Sequence, residues 1–270
     1  MRLVFAIARA KGRVRNRLGA PHMDTELVAA LGASPAQAAR WARRAAELEA
    51  SDGLERRLGR RTKPGSLRRL MEIEGIGNLQ AALEGGNGAI LYSLHLWGKY
   101  TFFGALAEAG YPPAVVATAP DPGRRSWLSV LQERSGYRYI WAGKRNFGVA
   151  VEAANVLRRN GVVLVMLDWP QPRMAEVAFL GRRARLAAGA AEMARLTGAP
   201  LLDYYVYRRN RWVPQVAEIG VPHAASDSTP EVLQQCADRL AEHVRRDPAQ
   251  WTFLCNHRHS AFVASAQMPP

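Results

Sequence analysis

Two polar residues stand at the ends of strongly apolar runs. His95 closes the run from Ala89 to Leu94, and Asp168 closes Val162-Val-Leu-Val-Met-Leu167. Short apolar runs of this kind read as buried strands. If the two strands lie parallel and close, His95 and Asp168 share one rim of the sheet, where α/β proteins collect functional groups. An aspartate against an imidazole fixes the ring's tautomer and stabilises the imidazolium, which makes the histidine a useful general base. Each residue also has a plainer reading: a strand-end histidine satisfied by a backbone carbonyl, and an aspartate that opens the turn before Pro170.

A second group is Phe179-Leu-Gly-Arg-Arg-Ala-Arg185, which the spacing places at the entry of a helix over 184–196. Gly181, Arg182 and Arg183 at a helix N-terminus would hold an anion such as a phosphate. The alternative is a solvated helix start whose arginines serve solubility. Arginine there opposes the helix dipole, which favours the anion. Cys255, His257 and His259 alternate, but nothing else in the sequence completes a metal shell, so no metal is expected. There is no glycine-rich phosphate loop behind a strand and no Gly-x-Ser-x-Gly elbow.

The elements that must position these groups can be read in order. Residues 1–80 are predicted helical and arginine-rich, a basic extension packed on a main α/β domain over 81–270. Ser34-Pro-Ala-Gln37 has the form of a capping box, opening a helix through Ala38, Trp41, Ala42, Ala45 and Leu48. Another short helix is predicted from Ser66 to Met71. From Ala89 onward strands alternate with helices: strands at 90–94, 114–117, 137–141, 162–167 and 201–207, helices at 100–109, 127–132, 149–159, 184–196 and 229–246. Trp212–Glu218 alternates and is predicted to pair as an antiparallel edge. Trp251–Cys255 is predicted to be extended. The expected fold is α/β, a mostly parallel central sheet flanked by helices, with an N-terminal helical extension.

The 270 residues are 48% hydrophobic, enough for a sizeable core, and carry a net charge of +14 that is nearly all arginine. Such a surface fits an acidic carrier protein or an anionic membrane surface. Nucleic acid ranks last, because the cluster from Arg56 to Lys63 lacks interleaved aromatics. Two cysteines imply no disulfide framework. No apolar run is long enough to span a bilayer, so a cytoplasmic location, free or peripheral on the inner face of the cytoplasmic membrane, is expected.

The ordered motifs resemble the bacterial lipid A biosynthesis (lauroyl/myristoyl) acyltransferases, within the wider lysophospholipid acyltransferase fold and related to mycobacterial phosphatidylinositol mannoside acyltransferases. The carrying pieces are Gly88–His95, Ala107-Glu-Ala-Gly-Tyr-Pro-Pro-Ala-Val-Val116, Glu133-Arg-Ser-Gly-Tyr137, and Leu157-Arg-Arg-Asn-Gly through to Asp168. They continue with Val177-Ala-Phe-Leu-Gly-Arg-Arg-Ala184, Ala194-Arg-Leu-Thr-Gly-Ala-Pro200, and Asp247-Pro-Ala-Gln-Trp251 followed by His257-Arg258. The resemblance implies transfer of an acyl group from acyl carrier protein or acyl-CoA to a hydroxyl or amine, with His95 as general base and no cofactor beyond the thioester donor. It implies substrate-binding roles for Trp97, Lys99 and Arg134 beside Gly181, Arg182 and Arg183. The family carries an acidic residue five positions after the histidine; here that position is Tyr100, which can hydrogen-bond but is neutral at pH 7. Asp168 is the expected substitute partner. A catalytically impaired relative that binds acyl chains, carrier protein or a partner enzyme is the alternative.

Overall fold

A computed structural model describes residues 25–59, 65–118, 135–142, 147–170, 173–208, 215–223 and 228–255, with a few isolated positions besides. Its centre is a seven-stranded sheet. In chain order the strands are β1 (Met71–Glu74), β2 (Ala89–Ser93), β3 (Pro113–Thr118), β4 (Arg138–Ala142), β5 (Val162–Met166), β8 (Leu201–Tyr207) and β9 (Gln215–Ile219). They lie in the order β1-β9-β8-β2-β5-β3-β4. Every pairing is parallel except β8 with β9. The remaining two strands, β6 (Met174–Phe179) and β7 (Arg182–Ala187), form a separate antiparallel hairpin. The helices are α1 (Thr25–Ala30), α2 (Pro35–Gly59), α3 (Ile76–Glu84), α4 (Lys99–Glu108), α5 (Phe147–Arg158), α6 (Gly189–Thr197) and α7 (Thr229–Arg246).

The expected α/β architecture is present, because the strands are apolar on both faces and take helical cover on each. All five residues of β2 are buried, and β5 is nearly so. The capping box at the start of α2 forms as the sequence indicates: the Ser34 N–H donates to Gln37 Oε1 at 2.8 Å, and the Gln37 N–H to Ser34 Oγ at 3.3 Å. Helix α7 begins on Ser228, whose Oγ accepts from the Glu231 N–H, and places His243, Arg245 and Arg246 in its last turn, where cations suit the dipole.

Four local expectations need correction. Ser66–Met71 is a single 3-10 turn at Leu67–Arg69, and Met71 instead opens β1. β9 is no edge strand, because β1 pairs along its free side. Residues 252–255 form a 3-10 turn, with only the bridge between Leu96 and Trp251 extended. The helix expected at 184–196 begins at Gly189, and 182–187 is strand. The reason is periodicity. Ala184 and Leu186 are buried while Arg182, Arg183 and Arg185 are exposed, an alternation of two that a helix would break by turning an arginine inward. Leu180 and Gly181 close the hairpin with φ of 53° and 76°, a turn with both central residues left-handed. The helix expected at 127–132 lies outside the described residues.

Candidate active site

The sheet register brings the two strand-end residues together. β2 and β5 pair in parallel with Ser93 opposite Met166, and the Leu167 N–H donates to the Ser93 carbonyl at 2.8 Å. His95 and Asp168 each stand two residues beyond that last pair, so they emerge at one level on the carboxyl rim. His95 Nδ1 is 2.6 Å from Asp168 Oδ1, and the His95 backbone N–H donates to Asp168 Oδ2 at 2.9 Å. A third donor, the Trp251 indole N–H, reaches Oδ2 at 2.8 Å.

Asp168 is fully buried. Burial alone would raise its carboxyl, but the facing His95, through charge and hydrogen bonds, and the Trp251 indole outweigh that and hold it below the usual carboxylate range. A carboxylate so held stays ionised at neutral pH and accepts a hydrogen bond from Nδ1–H, leaving Nε2 as the imidazole's basic nitrogen. The ring itself is fixed by aromatic neighbours. It stacks on Phe253 at 5.0 Å between centroids and 18° between planes, and Trp169 leans against it at 5.4 Å. Its side chain keeps 15% exposure, so a substrate can reach it.

The segment behind His95 is pinned at each residue. The Thr252 N–H donates to the His95 carbonyl at 2.8 Å, and the Trp97 N–H to the Gln250 carbonyl at 3.1 Å. Gln250 Nε2 returns a bond to the Trp97 carbonyl at 2.8 Å, and the Gly98 N–H donates to Asp52 Oδ1 at 2.9 Å. Gly98 has φ 82°, and a Cβ there would sit 2.3 Å from Gln215 Oε1. Gly98→Ala is therefore expected to lose more than about 1 kcal/mol of stability, read as a lower urea midpoint at unchanged slope.

The other sequence-derived positions fall elsewhere. Tyr100 lies in the first turn of α4, its ring edge-on to Phe103 and beneath the Lys99 ammonium at 4.6 Å. The carboxylate that engages the His95 ring is Asp168, not a group at Tyr100. Lys99 is buried, with Nζ donating to the Leu96 carbonyl at 3.4 Å. Trp97 packs with Trp41, Ala45, Leu48 and Ala249 under α2. Gly181, Arg182 and Arg183 are not at a helix N-terminus: they form the tip of the β6–β7 hairpin, and Arg183 pairs with Glu176 at 2.8 Å. The hairpin is rooted at the rim, since the Ala187 N–H donates to the Leu167 carbonyl at 2.9 Å. Arg134, His257 and His259 lie outside the described residues, and among the described residues no group of three or more His, Cys, Asp and Glu could hold a metal ion.

A sequence model of the bacterial lipid A biosynthesis acyltransferases matches residues 34–258, well over half of the chain. The chain belongs to that family. Phosphatidylinositol mannoside acyltransferase of Mycobacterium tuberculosis, in each of two strains, is 30% identical over 194 residues, covering 67% of this chain and 58% of the relative. The protein of the same name from Mycolicibacterium smegmatis is 28% identical over 199 residues, covering 70% of this chain and 63% of the relative. The chain thus aligns with less than two thirds of the length of these relatives. The match spans both strand ends that form the His95–Asp168 pair, and α2 as well.

Residues beyond the sequence reading complete the site. Trp251 and Phe253 come from the segment after α7, and Asp52 from α2. In the sequence Trp251 stands out only as part of a motif. Asp52 and Glu55 continue the seam Trp41, Ala45, Leu48 at alternating spacings of four and three, the one signal that would have turned them inward.

Proposed function

We propose that the chain transfers an acyl group from a thioester donor to a hydroxyl or amine, with His95 as general base and Asp168 as the partner that orients it. The observation that carries this reading is the buried carboxylate on Nδ1, which leaves Nε2 as the basic nitrogen of a ring fixed at the sheet rim. In the step, Nε2 takes the proton of the acceptor O–H or N–H. The oxygen or nitrogen bonds to the thioester carbonyl carbon, the C–S bond breaks, and the proton passes from the imidazolium to the departing thiolate. Acyl carrier protein or acyl-CoA is the donor and no resident cofactor takes part. The net charge of +14 supports an acidic carrier and contact with an anionic membrane surface. Among the described residues no helix is long and apolar enough to cross a membrane. The names of the relatives put a phosphatidylinositol mannoside first among acceptors to try.

The test supplies acyl-CoA and acyl-carrier-protein donors with glycolipid, hydroxyl and amine acceptors, and follows thiol release and acylated product. Transfer by the native chain that disappears in His95→Ala is the expected result. Transfer that continues unchanged in His95→Ala removes His95 as the base. Binding of carrier protein without turnover in the native chain returns the non-catalytic reading.

A further inference from the structure

The turn behind His95 is gripped by carboxylates from a helix 46 residues upstream. On α2, Asp52 and Glu55 lie one turn apart and are only 4% and 1% exposed. Asp52 Oδ1 accepts the N–H of Gly98, the residue that precedes α4. Glu55 Oε2 accepts from Thr101 Oγ1 at 3.2 Å, one turn into α4, and from Gln215 Nε2 of β9. Its Oε1 accepts from Arg208 Nη2 at 2.9 Å, beyond the end of β8. One turn of α2 is thus matched to the start of α4, acid for donor.

Buried carboxylates carry a desolvation penalty that well-packed apolar side chains in the same seam would not. Here they meet the positive end of α4, a guanidinium and two amide or hydroxyl donors. The seam above them is apolar, with Trp41, Ala45 and Leu48 packed together. Its chemistry changes at Asp52 and Glu55, where α2 meets Gly98 and Thr101. The segment that follows His95 is held as well by Gln250, Trp251 and Thr252, and Trp251 also donates to Asp168. Asp52 therefore forms one arm of a clamp on that segment, and Trp251, in another arm, donates to the partner of the base. Tyr100, in the first turn of α4, adds no carboxylate of its own.

We propose that Asp52 and Glu55 are positioning residues for His95, fixing the 96–98 turn and the first turn of α4 so that the imidazole presents Nε2 at one angle. The inference rests on the reading of His95 as the general base. It concerns geometry that exists without substrate, so it can be read apart from turnover. The two carboxylates act differently. Asp52 holds the backbone directly, whereas Glu55 ties α4, β9 and Arg208 into one support beneath it.

The experiment compares the native chain with Asp52→Ala, Asp52→Asn and Thr101→Val, using two readouts. The first is the pH titration of the His95 ring by histidine carbon–proton NMR, assigned with His95→Gln. The second is kcat and KM with an acyl thioester donor. Asp52→Ala is expected to shift the His95 resonance and its titration midpoint, and to lower kcat on the order of 10- to 100-fold with KM nearly unchanged. Asp52→Asn, which keeps an oxygen acceptor for the Gly98 N–H, is expected to restore both. Thr101→Val removes one hydroxyl from the support and is expected to act in the same direction; it carries the test if Asp52→Ala fails to fold. A His95 titration unchanged in Asp52→Ala and Thr101→Val overturns the inference, as does a failure of Asp52→Asn to rescue a folded Asp52→Ala. If the native chain shows no turnover, the acyl-transfer reading fails, and the NMR titration still decides the clamp.

Discussion

On the proposed acyl transfer, Asp168→Asn is expected to lower kcat on the order of 10²- to 10⁴-fold while the chain stays folded. The geometry explains why so small a change is so costly. Oδ2 accepts two N–H groups, from the His95 backbone and the Trp251 indole. Oδ1 faces only Nδ1. An asparagine must leave its oxygen on the Oδ2 side, since both groups there are fixed donors. Its NH2 then faces Nδ1 and donates to it. Nδ1 becomes an acceptor, the proton moves to Nε2, and the ring loses the lone pair that would receive the acceptor's proton. The expected signature is a fall in kcat with KM nearly preserved, measured beside a thermal melt within a few degrees of the native one. A kcat within threefold of native removes Asp168 as the orienting partner. The same carboxyl also bears on acid stability. Because its folded value lies below the unfolded one, its contribution is present above the ordinary carboxylate range and is lost as pH falls through the folded value.

A second large effect lies in the pH dependence of stability, where two buried groups oppose each other. Burial, ahead of the opposing Arg208 charge, lifts Glu55 from 4.5 to about 7. The folded state keeps a proton that the unfolded chain releases, so this stabilisation is full below about pH 4.5 and is lost as pH rises through about 7. The span corresponds to about 3 kcal/mol. Burial, with Arg239 adding to it, lowers His223 from 6.5 to about 4. There the unfolded chain takes the proton first, so stability from this group rises with pH between about 4 and 6.5, a window that overlaps most of the Glu55 one. Glu55 faces Arg208, Asp52, Thr101 and Gln215, and His223 faces Tyr92, Arg239, Asp203 and Gln235. The two sets share no residue, which favours additivity. Urea denaturation of the native chain is expected to give a shallow slope between pH 4.5 and 7. Glu55→Gln should tilt it upward with pH and His223→Gln downward. A Glu55→Gln slope equal to the native one would sink the upward shift assigned to Glu55.

Much of the site is legible in the sequence because strands are short and their ends are marked. An apolar run followed by one polar residue fixes both the strand and the rim position of that residue, as at Leu94-His95 and Leu167-Asp168. The β6–β7 hairpin is not legible, for a local reason. Arginines at 182, 183 and 185 beside alanines suit a helix start as well as an alternating strand, and Leu180-Gly181 lacks the Asn-Gly or Asp-Gly signal of a tight hairpin. β1 escapes the pattern because four residues beside a 3-10 turn carry too little of it to outvote a helical context.

The sequence by itself determined the α/β class, the helix cap at Ser34, and the two strand ends that carry His95 and Asp168, because each follows from local periodicity and side-chain chemistry. Family membership was readable from the ordered motifs and is borne out by the match over residues 34–258. Only the tertiary structure decided that β2 and β5 are neighbours in register, which converts two strand ends into one hydrogen-bonded pair at 2.6 Å. It alone brought Phe253 to the ring, Trp251 to Asp168 and Asp52 to the turn, across 83 residues from Trp251 to Asp168 and 46 from Asp52 to Gly98. The physical reason is that pairing at such separations is set by how the layers bury their apolar faces together, and no local pattern records which buried acid meets which distant donor.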